Sequence, residues 1–252
     1  MNAPRVTVYS SLDSQYHHAF QVFLDHTDQK TKALAWLENR LASLPERRVL
    51  IDAGAGTGQL TAWVGASFER VIAIEPNASL REDLRKNCPR ADISGDLILA
   101  AQPALPGDFV LCSHVFYYLE ADQWLAHLEK LASWLSERGV LAVALQNSGT
   151  DCQRMIQHFL QQRFDLAALG REFEQRHGNA FEVQIDTVEA WIATPAFAEA
   201  YIIAEFMLNL LPMPNPPERQ AVEDYVRKHF QDGQGGYRFS CHQDFLQVQR
   251  RK

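Results

Sequence analysis

The sequence predicts an α/β protein, a parallel sheet with helices on both faces, and three observations carry that expectation. Apolar runs of four to six residues alternate with helical stretches of ten or more, as in strands covered on both faces by crossover helices. A glycine cluster closes the first run. A carboxylate closes the second, 21 residues after the first glycine of that cluster. The 252 residues, 46 % hydrophobic and 22 % charged, hold enough apolar material for an ordinary globular core.

Along the chain, the first 45 residues read as helical. Tyr16, Phe20, Phe23 and Leu24 recur at i, i+4, i+7 and i+8, one face of a helix; Leu34, Leu37, Leu41 and Leu44 repeat after a polar break at 25–28. Thr27 or Asp28 offers a capping oxygen to the second helix, and Pro45 ends it. Val49-Leu50-Ile51 is the first strand, and a helix over 60–68 leads to a second strand at 71–74. Further strands are expected at 91–94, 109–112 and 140–145, with a helix at 121–136 before the last. Helices follow at 151–164, 187–192, 198–211 and 218–230, with a stiff proline-rich turn at 212–217. Residues 237–249 alternate as a final strand, expected antiparallel at the sheet edge.

Charge and composition exclude several classes. The net charge of −7 opposes a protein that lives on nucleic-acid phosphates, and Arg250, Arg251 and Lys252 read as a solvated end. No run of about 20 apolar residues spans a membrane, and the N-terminus lacks the apolar segment of a signal peptide. Cys88, Cys112, Cys152 and Cys241 are scattered without metal-ligand spacing, so a reduced, cytoplasmic protein with no metal is expected.

The chemistry concentrates in Asp52-Ala53-Gly54-Ala55-Gly56-Thr57-Gly58, between the first strand and a helix. Glycines two apart let the backbone turn sharply and approach a ligand closely, and the helix end adds free N–H groups. Glu75, at the end of the next strand, stands where a carboxylate accepts from both hydroxyls of a ribose. The dinucleotide fingerprint is Gly-x-Gly-x-x-Gly; here the spacing is Gly-x-Gly-x-Gly with Asp52 before it, which suits an ammonium group better than a diphosphate. No Tyr-x-x-x-Lys pair is present either. Both features favour S-adenosylmethionine over NAD.

Residues 48–147 resemble the class I S-adenosylmethionine-dependent methyltransferase family, in Asp52 to Gly58, Glu75-Pro76, Gly95-Asp96 and the loop 113–119. The resemblance implies a Rossmann-like seven-stranded sheet with the cofactor over the carboxyl ends of the first strands. Gly54, Gly56 and Gly58 would approach its methionine part, Glu75 would hold its ribose, and Asp96 with Leu97 its adenine; Pro76 would also line the cofactor, and Ser113 and His114 would lie beneath the sulfonium. On this basis 1–45 is a helical cap over the active site and 46–150 the cofactor-binding core. Residues 151–252 would supply the remaining strands and inserted substrate-binding helices, compact with the core.

A narrower likeness, to the histamine N-methyltransferase family, rests on Tyr16 to Thr27, Tyr117-Tyr118 and the helix 198–211. It implies that Tyr16, Phe20, Tyr117, Tyr118 and Phe206 surround the substrate. Gln29 stands where that family has a substrate-binding Glu, Cys241 near its late Asn, and His114 in place of a Gln. Changed polar groups imply a changed substrate. The expected function is methyl transfer to a small molecule, an amine or imidazole nitrogen. His114, with an ordinary pKa of ~6.5, would be the proton acceptor. Two alternatives remain open: a non-catalytic S-adenosylmethionine-binding protein and, disfavoured by the glycine spacing, an NAD-dependent oxidoreductase. The expected partner is a small-molecule methyl acceptor, with neither nucleic acid nor membrane involved.

Overall fold

The computed structural model describes residues 3–10 and 13–251. Two helices, α1 (Ser14–His26) and α2 (Gln29–Ala42), precede β1 (Val49–Ala53), α3 (Gln59–Gly65), β2 (Arg70–Ile74), α4 (Ala78–Asn87) and β3 (Asp92–Ser94). Then come β4 (Gly107–Ser113), α5 (Trp124–Ser133), β5 (Leu135–Gln146), α6 (Asp151–Leu160), α7 (Leu166–His177), β6 (Phe181–Val188) and β7 (Trp191–Thr194). The chain closes with α8 (Phe197–Asn209), α9 (Arg219–His229), β8 (Tyr237–Ser240) and β9 (Gln243–Arg250). It forms two compact units, one of residues 1–37, 146–165 and 187–243, the other of 38–145, 166–186 and 244–252.

The second unit is built on a seven-stranded sheet in the order β3-β2-β1-β4-β5-β9-β6. β1 pairs parallel with β2 and β4, β2 with β3, and β4 with β5, as apolar runs separated by helices require. Every residue of β1 is buried, because helices cover both faces. The chain steps from β1 through β2 to β3 on one side and returns to β4 on the other. Strand order therefore reverses at β1, the switch point at whose carboxyl end open α/β sheets bind their ligands. α5 turns Trp124, Leu125, Leu128 and Leu131 inward at helical spacing, and α4 starts where Asn77 accepts the N–H groups of Ser79 and Leu80.

The first unit packs helices with the antiparallel pair β7–β8. α8 is buried around most of its circumference, Phe206 and Met207 included. Residues 3–10 run extended along it: Arg219 N–H donates to Pro4 O, Val6 N–H to Pro217 O and Tyr9 N–H to Asn209 Oδ1.

Three sequence expectations change. Residues 187–192 are not helical; residues 181–188 alternate half-buried and exposed side chains with a period near two, ending in β-branched Thr187 and Val188, and β7 follows. The helix from 151 stops at Leu160, where Gln161 turns left-handed at φ +56°. The single final strand is two. Asp151 Oδ2 accepts from Ser240 N–H and Oγ and Cys241 N–H donates to Ala190 O, which breaks the run; β9 then lies between β5 and β6, not at the edge. Arg250 and Arg251 are exposed, as a solvated end requires, and still make local contacts: Arg250 lies over Phe181, and Arg251 Nε donates to Gly178 O and Phe181 O. Lys252 lies outside the described residues. α4 and α7 were not anticipated.

Candidate active site

The loop after β1 carries Gly54, Gly56 and Gly58 at φ +82°, +57° and +82°, the left-handed region. Gly54 and Ala55 donate their N–H groups to Ile74 O at 2.8 and 3.1 Å, which draws the loop over the end of β2. The three glycines are needed for different reasons. A Cβ on Gly54 would run into Val115 Cγ2, and one on Gly58 would come within 2.6 Å of Leu84 Cδ1. One on Gly56 would meet nothing within 4 Å. Gly54 and Gly58 are packed from within, whereas Gly56 borders open space in which a ligand fits.

Glu75 stands at the end of β2, only 6 % exposed. Its Oε2 accepts Gly56 N–H and its Oε1 accepts Asn77 N–H, both at 2.8 Å. A carboxylate offers about four acceptor sites, so each oxygen retains capacity for a hydroxyl. Arg81, on α4, donates to the carbonyls of Glu75 and Pro76 at 2.8 and 2.6 Å and holds this turn. After β3, Asp96 Oδ2 accepts from Ser94 Oγ, which in turn accepts Asp96 N–H; Leu97 beside it is 67 % exposed, an apolar surface suited to a flat ring. The residues present thus fit an adenosyl ligand: a carboxylate for the ribose, an apolar side chain for the base, and room above Gly56.

Asp52 is buried behind the loop rather than open to it, and its Oδ2 accepts from Thr61 Oγ1 at 2.6 Å. Burial pushes its carboxyl pKa up to about 6; the Thr61 hydroxyl works against this, and the charge of Glu75 adds to it.

Ser113 ends β4, and His114 follows with φ +58°, rare for a residue with a side chain. Its N–H is fixed on Ala144 O at 2.9 Å. Its Nδ1 lies 3.3 Å from Tyr117 Oη, and the two rings stack at 5.7 Å. Burial pushes the imidazole pKa down to about 4, although some of the residue's surface stays accessible. The imidazole is therefore neutral near pH 7, which corrects the expectation of a group titrating near neutrality. Tyr118 meets Tyr117 edge-on at 6.5 Å and is largely exposed.

In the other unit the candidates fall into two sets. Phe206 is the hub of the first: its ring lies 5.4 Å from Tyr16 and 5.7 Å from both Phe20 and Phe23. Phe20 remains partly exposed. Gln29 and Cys241 form the second set and engage each other, Gln29 Nε2 donating to Cys241 O at 2.7 Å. Cys241 is fully buried, with Thr27 Oγ1 3.5 Å from its sulfur; burial raises its thiol pKa to about 12. Sequence reasoning missed Thr61, Asn77, Arg81 and Val115, which set the shape of the crevice. Asn77, a capping type just before a helical stretch, carried a usable signal; the others act across the fold.

Among the described residues no helix is long and apolar enough to cross a membrane. The chain matches the methyltransferase domain family over residues 24–184, more than half its length. An uncharacterized methyltransferase of Alkaliphilus oremlandii (strain OhILAs) is 24 % identical over 143 residues, 54 % of this chain and 66 % of that one. The chain thus spans just under two thirds of that relative's length. Among solved structures, a putative methyltransferase from Bacillus halodurans C-125 superposes with a TM-score of 0.62 at 12 % identity, covering 86 % of this chain and 97 % of that one. The N-methyltransferase NodS from Bradyrhizobium japonicum WM9, in complex with S-adenosyl-L-homocysteine, gives 0.56 at 12 % identity, covering 94 % and 98 %. These two likenesses establish the Rossmann-like fold, and the family match goes further. The chain belongs to the methyltransferase domain family, enzymes that use S-adenosylmethionine as methyl donor.

Proposed function

We propose that the protein methylates a nitrogen of a small-molecule amine or imidazole. The observation that carries this reading is His114: an imidazole neutral at physiological pH, held in a left-handed backbone conformation at the end of β4 beside Tyr117. Backbone strain of this kind costs about 1–3 kcal/mol and persists where a site demands it. Bound S-adenosylmethionine supplies a methyl group on a positively charged sulfur. A neutral imidazole does not repel that charge, and it accepts a hydrogen bond from the acceptor's N–H, turning the nitrogen lone pair outward. With a pKa near 4 His114 does not retain the proton at pH 7, so it orients the acceptor and the proton leaves to water. Tyr117 Oη, 3.3 Å from Nδ1, holds the ring; with Nδ1–H donating to it, Nε2 is the nitrogen left to accept. Glu75, Asp96 and Leu97 are the cofactor-holding candidates. Beside His114, Tyr117 and Tyr118 are the candidates for contacting the acceptor; aromatic faces favour a cationic or flat ligand.

The test is incubation with methyl-labelled cofactor and separate pools of amines, imidazoles and phenols. Label is expected in a nitrogen pool, and His114→Ala should lower kcat by ~100-fold while S-adenosylhomocysteine affinity changes only a few-fold. Transfer to phenols alone, or undiminished turnover in the variant, sinks the reading. The pH–rate profile should carry the acceptor's own ionisation and no additional acid limb near 6.5.

Asp52 adds a second pH effect. Its carboxyl, raised to about 6 in the free protein, is protonated below that pH and charged above it. The ammonium group of a bound ligand favours the charged form, so affinity for S-adenosylmethionine and S-adenosylhomocysteine alike should weaken as pH falls through 6, by up to about tenfold per unit. Calorimetric titration of either ligand from pH 5 to 8 checks this, and a flat profile, or an unchanged slope in Asp52→Asn, would remove Asp52 from the account.

A further inference from the structure

Gly95 is a glycine whose backbone does not ask for one. Unlike Gly54, Gly56 and Gly58 it has no positive φ, yet it stands in the turn after β3, beside Asp96 and Leu97. What it makes room for is a side chain. A Cβ on Gly95 would lie 3.0 Å from Arg81 Cζ and 3.1 and 3.3 Å from its Nη1 and Nη2. The same Nη1 donates to Glu75 O at 2.8 Å and to Pro76 O at 2.6 Å. One planar guanidinium is thus packed between the turn after β2 and the turn after β3.

The helix that carries Arg81 is anchored at its other end. Arg81, Leu84 and Cys88 recur at i, i+3 and i+7 and so share one face of α4. Leu84 closes on Gly58, Cys88 Sγ donates to Gly58 O at 3.3 Å, and Asn87 Nδ2 donates to Thr57 O at 2.8 Å. All of these residues belong to the unit that holds the sheet. The glycine loop fixes the end of α4, and α4 in turn places the guanidinium.

We propose that Arg81 is a positioning residue for the cofactor: without touching it, Arg81 sets the spacing between Glu75, the carboxylate for the ribose, and Asp96 with Leu97, the pair for the adenine. Those groups sit on turns that leave two different strands, and a rigid adenosyl group needs both turns at a fixed separation. Supporting residues have to hold such a constellation to within about 0.5 Å. Gly95 is glycine so that the brace fits. The inference rests on Glu75 lying at the adenosyl group, and on neither His114 nor the methyl acceptor.

The experiment is calorimetric titration of the full-length, cofactor-free protein with S-adenosylhomocysteine and with 5′-methylthioadenosine, which keeps the adenosyl half and lacks the amino-acid half. Arg81→Ala should weaken both ligands by the same factor, about tenfold or more. Arg81→Lys keeps the charge without the planar fork and should recover only part of the loss. Gly95→Ala is the decisive variant. Its methyl group displaces the flexible end of an arginine rather than backbone, so Tm should fall by no more than about 2 °C while both affinities drop about tenfold. In the Arg81→Ala background the same substitution should cost nothing further. The inference is overturned if Arg81→Ala binds as the wild type does, if only S-adenosylhomocysteine is weakened, if Gly95→Ala lowers stability instead of affinity, or if the two losses add. Glu75→Ala, titrated in parallel, tells two failures apart. A loss there with none in Arg81→Ala sinks the brace alone; no loss in either sinks the adenosyl site with it.

Discussion

Glu75→Ala is expected to weaken S-adenosylhomocysteine binding by at least ~100-fold in calorimetry, with a smaller loss of thermal stability. The carboxylate does two things at once. It accepts Gly56 N–H and Asn77 N–H, so it ties the glycine loop to the turn before α4, and it retains acceptor capacity for ribose hydroxyls. Hydrogen bonds to a charged group contribute about 1.5–3 kcal/mol each, and losing two ribose bonds alone corresponds to roughly 100-fold or more. The unsatisfied loop N–H groups add disorder where the ligand needs a fixed surface. Glu75→Gln separates the two roles, because its amide keeps one acceptor and turns a donor toward the other N–H. Its loss should be intermediate. Should Glu75→Ala bind the ligand like the wild type, the end of β2 is not the ribose site and the crevice has been assigned wrongly.

What the sequence made legible follows from how local each cause is. β1, its glycines and Glu75 were readable because the strand opens on three consecutive apolar residues and the loop's conformation requires glycine, whatever else surrounds it. The individual duties of those glycines were not, since they depend on Val115 and Leu84, which reach the loop through the tertiary fold. The aromatic set on α1 and α8 was half legible: helical spacing aligned Tyr16, Phe20 and Phe23, and only folding brings Phe206 against them. The break between β8 and β9 is imposed by Asp151, 89 positions from Ser240, and no window of local pattern contains both. His114 shows the sharpest limit. Its residue type suggested proton exchange near neutrality, but its burial is set by the fold, and that burial holds the imidazole neutral at pH 7.

The second large effect separates three residues that look alike in sequence. Gly58→Ala should destabilise the protein by about 2–5 kcal/mol. A left-handed backbone costs a side-chain-bearing residue about 1–2 kcal/mol, and its Cβ would press on Leu84 Cδ1 at 2.6 Å, an overpacking cost of about 1–3 kcal/mol. In a chain of this size that is a fall in Tm of roughly 5–15 °C. Gly56→Ala carries the backbone strain alone, because nothing lies within 4 Å of its Cβ, so its Tm should fall by only a few degrees. Its methyl group instead enters the space left for the ligand, and S-adenosylhomocysteine affinity should drop by ~100-fold. Gly54→Ala belongs with Gly58, and its clash has one named partner: trimming that partner with Val115→Ala should restore part of the lost stability, a coupling that a double-mutant cycle reads directly. The pattern matters more than any single value. Stability and affinity should dissociate at Gly56 and fall together at Gly54 and Gly58; if Gly56→Ala binds normally, the open space above the loop is not where the cofactor lies, however well the rest of the fold fits one.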